Sequence, residues 1–468
     1  MTRPRPRPRP RARVRFVPLS AALVAGLALS ACGVGGGTTS STSNGQPAAK
    51  AGRCDVNAKV VAGTPLTGTP KGQITFQTTA LKADFSPYFE KVIADFEQAN
   101  PGTSVKWQDD PGDSTFTQRI VGDAQACTLP DVVNVNQITG YALAKENFLV
   151  DVDKSAPEAS RAFIPSLWSS LEMPGLTGHF VMPWYWGLTG LQTFNTDLMK
   201  KAGLDPASPP KTVFEQFDLA EKVAKAAGGK YYAFSANPIY RLPSDWQLMK
   251  VPVTNADQTK FTFADSPKAV EWVTRMAKLY ADGALPKDSI SSPDDPTVKY
   301  TQGTLVWGST NASSMRAVEQ GNPKVYAATG VAPLVDALGT AMEDGQLIGV
   351  TSTTKNPVTA LAFARYLLSP QVQSTFISDP RIQNFPSTTE SLKIDKLTKI
   401  TGTDALAQAN RIAVGLAQNA RNAFIYPWSD AVNTKIVSEV QLAMQGKKTP
   451  AKALKDAQDA ANLILAKG

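Results

Sequence analysis

Few side chains in this chain could do chemistry. His179 is the lone histidine among 468 residues. Multi-histidine metal sites are therefore excluded, and with no nucleophile motif around it His179 makes a poor base for a triad. The three cysteines, Cys32, Cys54 and Cys127, lack metal-ligand spacing. Forty acidic residues could supply the two carboxylates of a glycosidase. The adjacent pairs Asp109-Asp110 and Asp294-Asp295 are weak signals, however, because neighbours in an extended chain face opposite ways. No Gly-rich loop runs into Gly-Lys-Ser/Thr, so the chain has no phosphate loop of its own, and no motif calls for a cofactor. The densest aromatic cluster is Trp184-Tyr185-Trp186, between Pro183 and Gly187. Aromatic faces flanked by amides and carboxylates suit a ligand with apolar C–H faces and a rim of hydroxyls. Removing ~100 Å² of one ring face from water is worth at most ~2.5 kcal/mol. A strand could instead bury alternate rings in a core.

These residues need elements to position them. Gln73 to Thr78 alternates polar and apolar, a strand signal. Phe85, Tyr88, Phe89, Val92, Ile93 and Phe96 form one apolar helix face, ended by Asn100-Pro101-Gly102. A second strand follows at Thr103–Gln108, then a helix over Ser114–Ala126 capped by Ser114, then a third strand at Asp131–Asn136. This alternation predicts an α/β fold, a parallel sheet covered by helices. Ligands of such sheets bind beyond the carboxyl ends of the strands. That rule points to Thr78, Thr79, Ala80 and Asp84 after the first strand, and to Asn136 and Gln137 after the third. Asp84 and Asp109 are candidate acceptors for ligand hydroxyls, with solvated loop carboxylates as the alternative.

The formal charge is +8, from 48 Lys+Arg against 40 Asp+Glu. Seven of those charges are arginines at alternate positions from Arg3 to Arg15, in a stretch of 31 residues without Asp or Glu. The remainder is close to neutral, which removes most support for a nucleic-acid partner; an arginine-rich nucleic-acid arm remains as an alternative for residues 1–15. The Arg-Pro run cannot be helical. The apolar stretch Phe16 to Leu29 suits a signal-peptide core and is short for a membrane span. Leu29-Ser30-Ala31-Cys32-Gly33 then resembles the bacterial lipoprotein signal, with residues 1–31 cleaved and Cys32 lipidated; an ordinary secretory site beside a chance cysteine is the alternative. Residues 32–71 read as a flexible tether, rich in Gly, Ser and Thr. The expected location is the outer face of the cell membrane. Cys54 and Cys127, an even pair in an exported chain, suggest a disulfide, with two unlinked thiols as the alternative.

Further segments carry a resemblance. The strand at Ile74, the helix at Phe85–Phe96, Asn100-Pro101-Gly102 and Val105 resemble the start of the extracellular solute-binding proteins of carbohydrate ABC importers, the maltose-binding-protein-like family 1. Gly190-Leu191-Gln192-Thr193-Phe194-Asn195-Thr196-Asp197-Leu198, Ala202-Gly203-Leu204-Asp205, Ala362 to Pro370, and Gly446 to Leu454 resemble later family segments in the same order. The likeness covers roughly residues 72–468.

The resemblance implies a two-lobed fold, each lobe a mainly parallel sheet flanked by helices, with a ligand cleft at a multi-crossover hinge. It implies a first lobe of 72–186 plus 327–375 and a second of 187–326 plus 376–468. In the maltose-binding branch, aromatic platforms occur in segments similar to Pro238-Ile239-Tyr240 and Ile425-Tyr426-Pro427-Trp428. Tyr240 and Trp428 match those positions, and Trp246 lies near the first. The family's Gly-Pro-Trp reads here as Gly308-Ser309-Thr310, so Trp307 is either a substitute or a core residue. The family's charged pair after the third strand reads as Asn136-Gln137, which argues against maltose itself. The implied function is a monomeric, non-enzymatic receptor that captures a small sugar or polyol and delivers it to ABC permease subunits. The rival ligand is a glycerophosphodiester, for which Arg241 and Arg316 are the nearest cations, both expected at the surface. Two rival functions stand beside these: a receptor-like lipoprotein that senses without transport, and a secreted glycan hydrolase or lyase.

Overall fold

A computed structural model describes residues 50–466, apart from 113–114, 293–294, 309–313, 336–341, 418 and 422–424. The expected leader, Cys32 and much of the expected tether lie outside the described residues, as does Ser114.

The first described segment is built into the fold. Strands β1 (Lys50–Ala51) and β2 (Cys54–Asp55) pair antiparallel. The turn of helix Ala58–Val61 follows, with Asn57 as its cap. Ala51, Cys54, Val56 and Val60 are buried, Asn57 N–H donates to Ser352 O, and Cys54 is joined to Cys127 by a disulfide. The tether expected to reach residue 71 is thus corrected: from residue 50 onward the chain is held by apolar burial and a covalent link.

Six strands form the main sheet. β3 (Gly72–Thr79) runs parallel to β4 (Thr103–Asp110) in register from Gly72↔Thr103 to Thr79↔Asp110, and parallel to β5 (Val132–Val135). All four β5 residues are buried, as a central strand covered on both faces requires. Beyond β5 the sheet continues antiparallel, through the later strands β9 (Met342–Val350), β6 (Met182–Thr189) and β10 (Phe385–Pro386). The helix Lys82–Ala99 lays Phe85, Phe89, Val92 and Phe96 inward. Phe89 sits among Phe76, Trp107, Trp184 and Phe376, with centroids 5.0 to 6.2 Å away. Pro87 falls within this helix, and non-helical dihedrals at Phe85 kink its first turn.

The second lobe has less sheet. β7 (Leu191–Asn195) pairs antiparallel with β8 (Thr329–Pro333), and single bridges join Phe194 to Trp307 and Tyr232 to Leu305. Its core gathers Phe217, Phe234, Trp246, Phe261, Trp272 and Trp428. Inside it, Arg241 Nε lies 3.1 Å from Asp245 Oδ2, its guanidinium stands 3.9 Å over the Phe234 ring, and Asp245 also accepts from the Trp272 indole at 2.9 Å. Burial pushes the Asp245 carboxyl up, against the opposing pull of Arg241.

Two expected lobe boundaries move. β8 pairs with β7, so residues 329–333 stand in the second lobe. β10 pairs with β6, and Phe376 packs on Phe85 and Trp184, so the stretch around 376–386 belongs to the first. The chain therefore crosses between lobes from β6 to β7, from β8 to β9, and again before the helix Ala405–Ala417, which packs on β8. No helix among the described residues is long and apolar enough to cross a membrane.

Candidate functional site

A cavity of about 200 Å³ opens where the parallel strands end. Thr79 ends β3, Gly112 follows β4, and Asn136 follows β5. Phe116 and Thr117 come from the helix Phe116–Ala126 and Gln346 from β9. Asp430, first residue of the helix Asp430–Met444, closes it from the second lobe.

Each wall residue is held by its own element. Asn136 caps the helix Gln137–Lys145, its Oδ1 accepting from Thr139 N–H at 2.9 Å. That contact leaves the amide nitrogen to serve the cavity. Gln346 Oε1 accepts from Asn134 Nδ2 at 3.0 Å, so Gln346 too offers N–H donors. Thr79 Oγ1 accepts from Gln77 Nε2, and the Thr117 and Thr139 hydroxyls are 3.0 Å apart. Gly112 has φ +70, and a Cβ there would meet Thr79 Cγ2 at 2.7 Å, so both backbone and space require glycine. Ala80, beside the cavity, also holds a left-handed φ of 53.

The electrostatics are simple. Asp430 is the one charged residue in the described lining, at the positive end of its helix. The nearby Asp110 is held by Arg119 through Nε at 2.9 Å and Nη2 at 2.5 Å. No Lys or Arg is among the described lining residues. The cavity therefore offers amide donors, hydroxyls and one carboxylate acceptor, a set suited to a neutral polyhydroxylated ligand.

Of the residues singled out from sequence, the structure brings Thr79 and Asn136 to this cavity. Thr78 is buried beneath it, donating to Asp109 at 2.6 Å and accepting from the Trp107 indole at 2.8 Å. Asp109 also accepts from the N–H groups of Leu81 and Lys82, so it anchors a helix start and is corrected as a ligand acceptor. Asp84 is exposed on the first helical turn, and Gln137 is buried in its helix.

The aromatic platforms are corrected more broadly. Trp184, Trp186, Trp246 and Trp307 are at most 1% exposed, and Trp428 is 8% exposed. A bulge in β6 between Pro183 and Tyr185 accompanies the placement of Trp184 against Phe89 and Phe376. Trp186 packs on Phe385 and donates to Pro386 O at 2.9 Å. Trp246 packs against Phe263, Trp272 and Trp428. Tyr185 is half-buried, level with Gln346 across the β6–β9 ladder, and is the cluster's ring nearest the cavity by register. Tyr240 is half-buried at the end of a short 3-10 turn, Pro238–Tyr240, and is not among the described lining of this cavity. Arg241, expected at the surface, is buried in its ion pair; Arg316 is half-buried and donates to Arg381 O. His179 is buried, with Nδ1 2.9 Å from Asp153 and its ring stacked 4.4 Å from Trp168.

Sequence reasoning missed Gly112, Phe116, Thr117, Gln346 and Asp430. Ser429-Asp430 carries a helix-start signal that could have drawn attention to Asp430. Gln346 carries none, because its place depends on a strand returning from the other end of the lobe.

Comparisons with known proteins agree with this architecture. The family described as "Bacterial extracellular solute-binding protein" matches residues 80–374. A candidate binding protein of Brucella abortus (strain 2308) is 23% identical over 407 residues, covering 85% of this chain and 94% of its own. The sugar-binding protein MalE of Xanthomonas citri has a similar structure, with TM-score 0.69 and 19% identity over 85% of this chain and 98% of its own. A cyclic alpha-maltosyl-1,6-maltose binding protein of Arthrobacter globiformis matches with TM-score 0.68 and 16% identity, over 85% of this chain and all of its own. By its strand order, by the cavity at the strand ends and by the family match across most of its length, the chain belongs to the bacterial extracellular solute-binding proteins.

Proposed function

We propose that this protein is the lipid-anchored receptor of an ABC importer and captures a neutral sugar or polyol in the cavity between its lobes. The observation that carries the reading is the lining itself: the amides of Asn136 and Gln346, the hydroxyls of Thr79 and Thr117, and the single carboxylate of Asp430. Structural relatives named for sugar binding and for cyclic alpha-maltosyl-1,6-maltose support it. A phosphodiester would call for a cation or an unoccupied helix N-terminus in the cavity. Arg241 is engaged with Asp245, and although the helix Phe116–Ala126 starts at the cavity without a side-chain cap, the Asp430 carboxylate shares that lining and disfavours an anion.

Binding works here by population shift. A ligand that touches Asn136 and Asp430 together favours the arrangement in which the lobes meet, and that arrangement is what permease subunits would recognise. Cys32 would carry the lipid that holds a monomeric receptor at the outer face of the membrane. No turnover is part of this reading.

A thermal-shift screen of the purified protein against sugars, polyols and glycerophosphodiesters tests it. A sugar or polyol should raise the melting temperature, and Asn136→Ala should weaken that hit. A response confined to phosphodiesters would overturn the reading.

A further inference from the structure

One short segment touches both lobes and the cavity. Tyr426, Trp428 and Asp430 are spaced two residues apart. Tyr426 is 5% exposed, and its ring lies 4.9 Å from that of Tyr141, on the helix Gln137–Lys145 of the first lobe. Trp428 points the other way, into the second core, 6.2 Å from Trp246 and 6.4 Å from Phe261, with its indole N–H donating to Asn433 at 3.1 Å. Asp430 lines the cavity opposite Thr79 and Asn136.

The backbone of this segment is held by the second lobe. Tyr426 N–H donates to Gln258 Oε1 at 3.1 Å, and Ser429 caps the helix that Asp430 begins. Tyr426 thus belongs to one lobe by its backbone and to the other by its ring. With Tyr141, Tyr426 forms part of the wall of a groove of about 540 Å³ at the helices Phe116–Ala126 and Gln137–Lys145, whose wall also includes Val121, Ala124, Ile138 and Ala142. Tyr141 is fixed from behind, its hydroxyl donating to Pro174 O at 3.2 Å. The same two helices begin at the cavity, with Thr117 and Asn136, so groove and cavity are two ends of one pair of elements.

We infer that Tyr426 is a positioning residue, an interlobe latch whose seat beside Tyr141 sets how far the lobes close and how Asp430 faces Asn136. Opening the cavity withdraws the Tyr426 ring from Tyr141 and the groove wall it shares, and that resists opening without any contact to ligand. Trp428 keeps the segment rigidly on its own lobe, so movement of Tyr426 reports movement of the lobe. Loss of the ring lowers the population of the closed arrangement and weakens apparent affinity by the same fraction. The effect on affinity rests on the proposed sugar reading; the effect on lobe closure does not.

The experiment is small-angle scattering of the ligand-free protein and its variants. Tyr426→Ala should increase the radius of gyration, and Tyr426→Phe, which keeps the ring, should match the parent. Tyr141→Ala removes the other partner and should expand the particle as well, which guards against one variant failing to fold. Unchanged scattering from folded Tyr426→Ala and Tyr141→Ala overturns the latch. Titration with the sugar that scores highest in the screen should show Tyr426→Ala binding about ten- to a hundredfold more weakly. If the parent binds no sugar, the functional reading fails while the scattering still decides the latch.

Discussion

The side-chain amide of Asn134 donates to Gln346 Oε1 at 3.0 Å, across the antiparallel β5–β9 pair, although 212 residues separate the two. Asn134 is fully buried and Gln346 lines the cavity, so a core residue orients a wall residue. Gln346→Leu removes the donors and is expected to weaken binding of the screened sugar about tenfold, the size of one hydrogen bond of roughly 1.4 kcal/mol. Calorimetric titration measures it; buried Asn134 keeps its 3.2 Å bond to Leu347 O, so the loss of stability should stay at ~1 kcal/mol. Asn134→Leu should cost more, about 1–3 kcal/mol of stability, because it takes the donor from both Gln346 Oε1 and the buried Leu347 O; urea unfolding separates the two.

Trp184 offers the opposite outcome. Its ring is buried among Phe89, Tyr185 and Phe376. Trp184→Ala is expected to cost about 3–5 kcal/mol, the range for emptying a large aromatic site. The folded fraction should bind the sugar within about twofold of the parent. A large loss of affinity at unchanged stability would return this ring to the ligand.

The disulfide closes a separation of 73 residues and ties β2 to the end of the helix Phe116–Ala126. Cys54→Ser with Cys127→Ser is expected to lower unfolding free energy by about 4 kcal/mol in the chain-entropy account. Urea unfolding with and without reductant checks this, since reductant should destabilise the parent and leave the double variant unmoved.

Alkaline pH should destabilise the fold through three tyrosines. Burial pushes the Tyr88 and Tyr300 phenols far above their ordinary range, and Tyr326 is pushed up to about 12, chiefly by burial. The unfolded chain loses these protons near pH 10, whereas the folded chain keeps them. Their stabilisation is therefore complete below pH 10 and is lost as pH rises toward 12 and beyond. Lys396 works the other way. Burial lowers it to about 8 from 10.5, so its contribution is present above pH 10.5 and is lost as pH falls through 8. Urea midpoints should hold or rise slightly from pH 8 to 10 and fall steeply above. Tyr300→Phe, which removes a phenol bonded to Thr329, should soften the fall.

Much of the architecture was legible because its signals are local. Strand alternation around Ile74 and Phe76, the apolar face from Phe85 to Phe96 and the stop at Asn100-Pro101-Gly102 each act within a few residues, and each predicted element was observed within a few residues of its expected ends. Thr79 and Asn136 were reachable by the same logic, since the end of a parallel strand is a position in sequence as well as in space.

The aromatic residues were not legible in that way. Trp184, Trp246 and Trp428 belong to a residue type that serves as a platform or as a core, and composition does not separate the two uses. The choice depended on which surfaces met: Phe376 came to Trp184, and Phe261 to Trp428, from distant parts of the chain. Gln346 and Asp430 reach the cavity for the same reason, one by a strand that enters the first sheet late, the other by a helix of the second lobe. Periodicity and turn chemistry thus determined the elements and the ends of the first strands, and composition the charge asymmetry of residues 1–31. Which rings were buried, and which polar groups face one another, was decided by long-range packing, because burial is settled between surfaces that a chain brings together only when it folds.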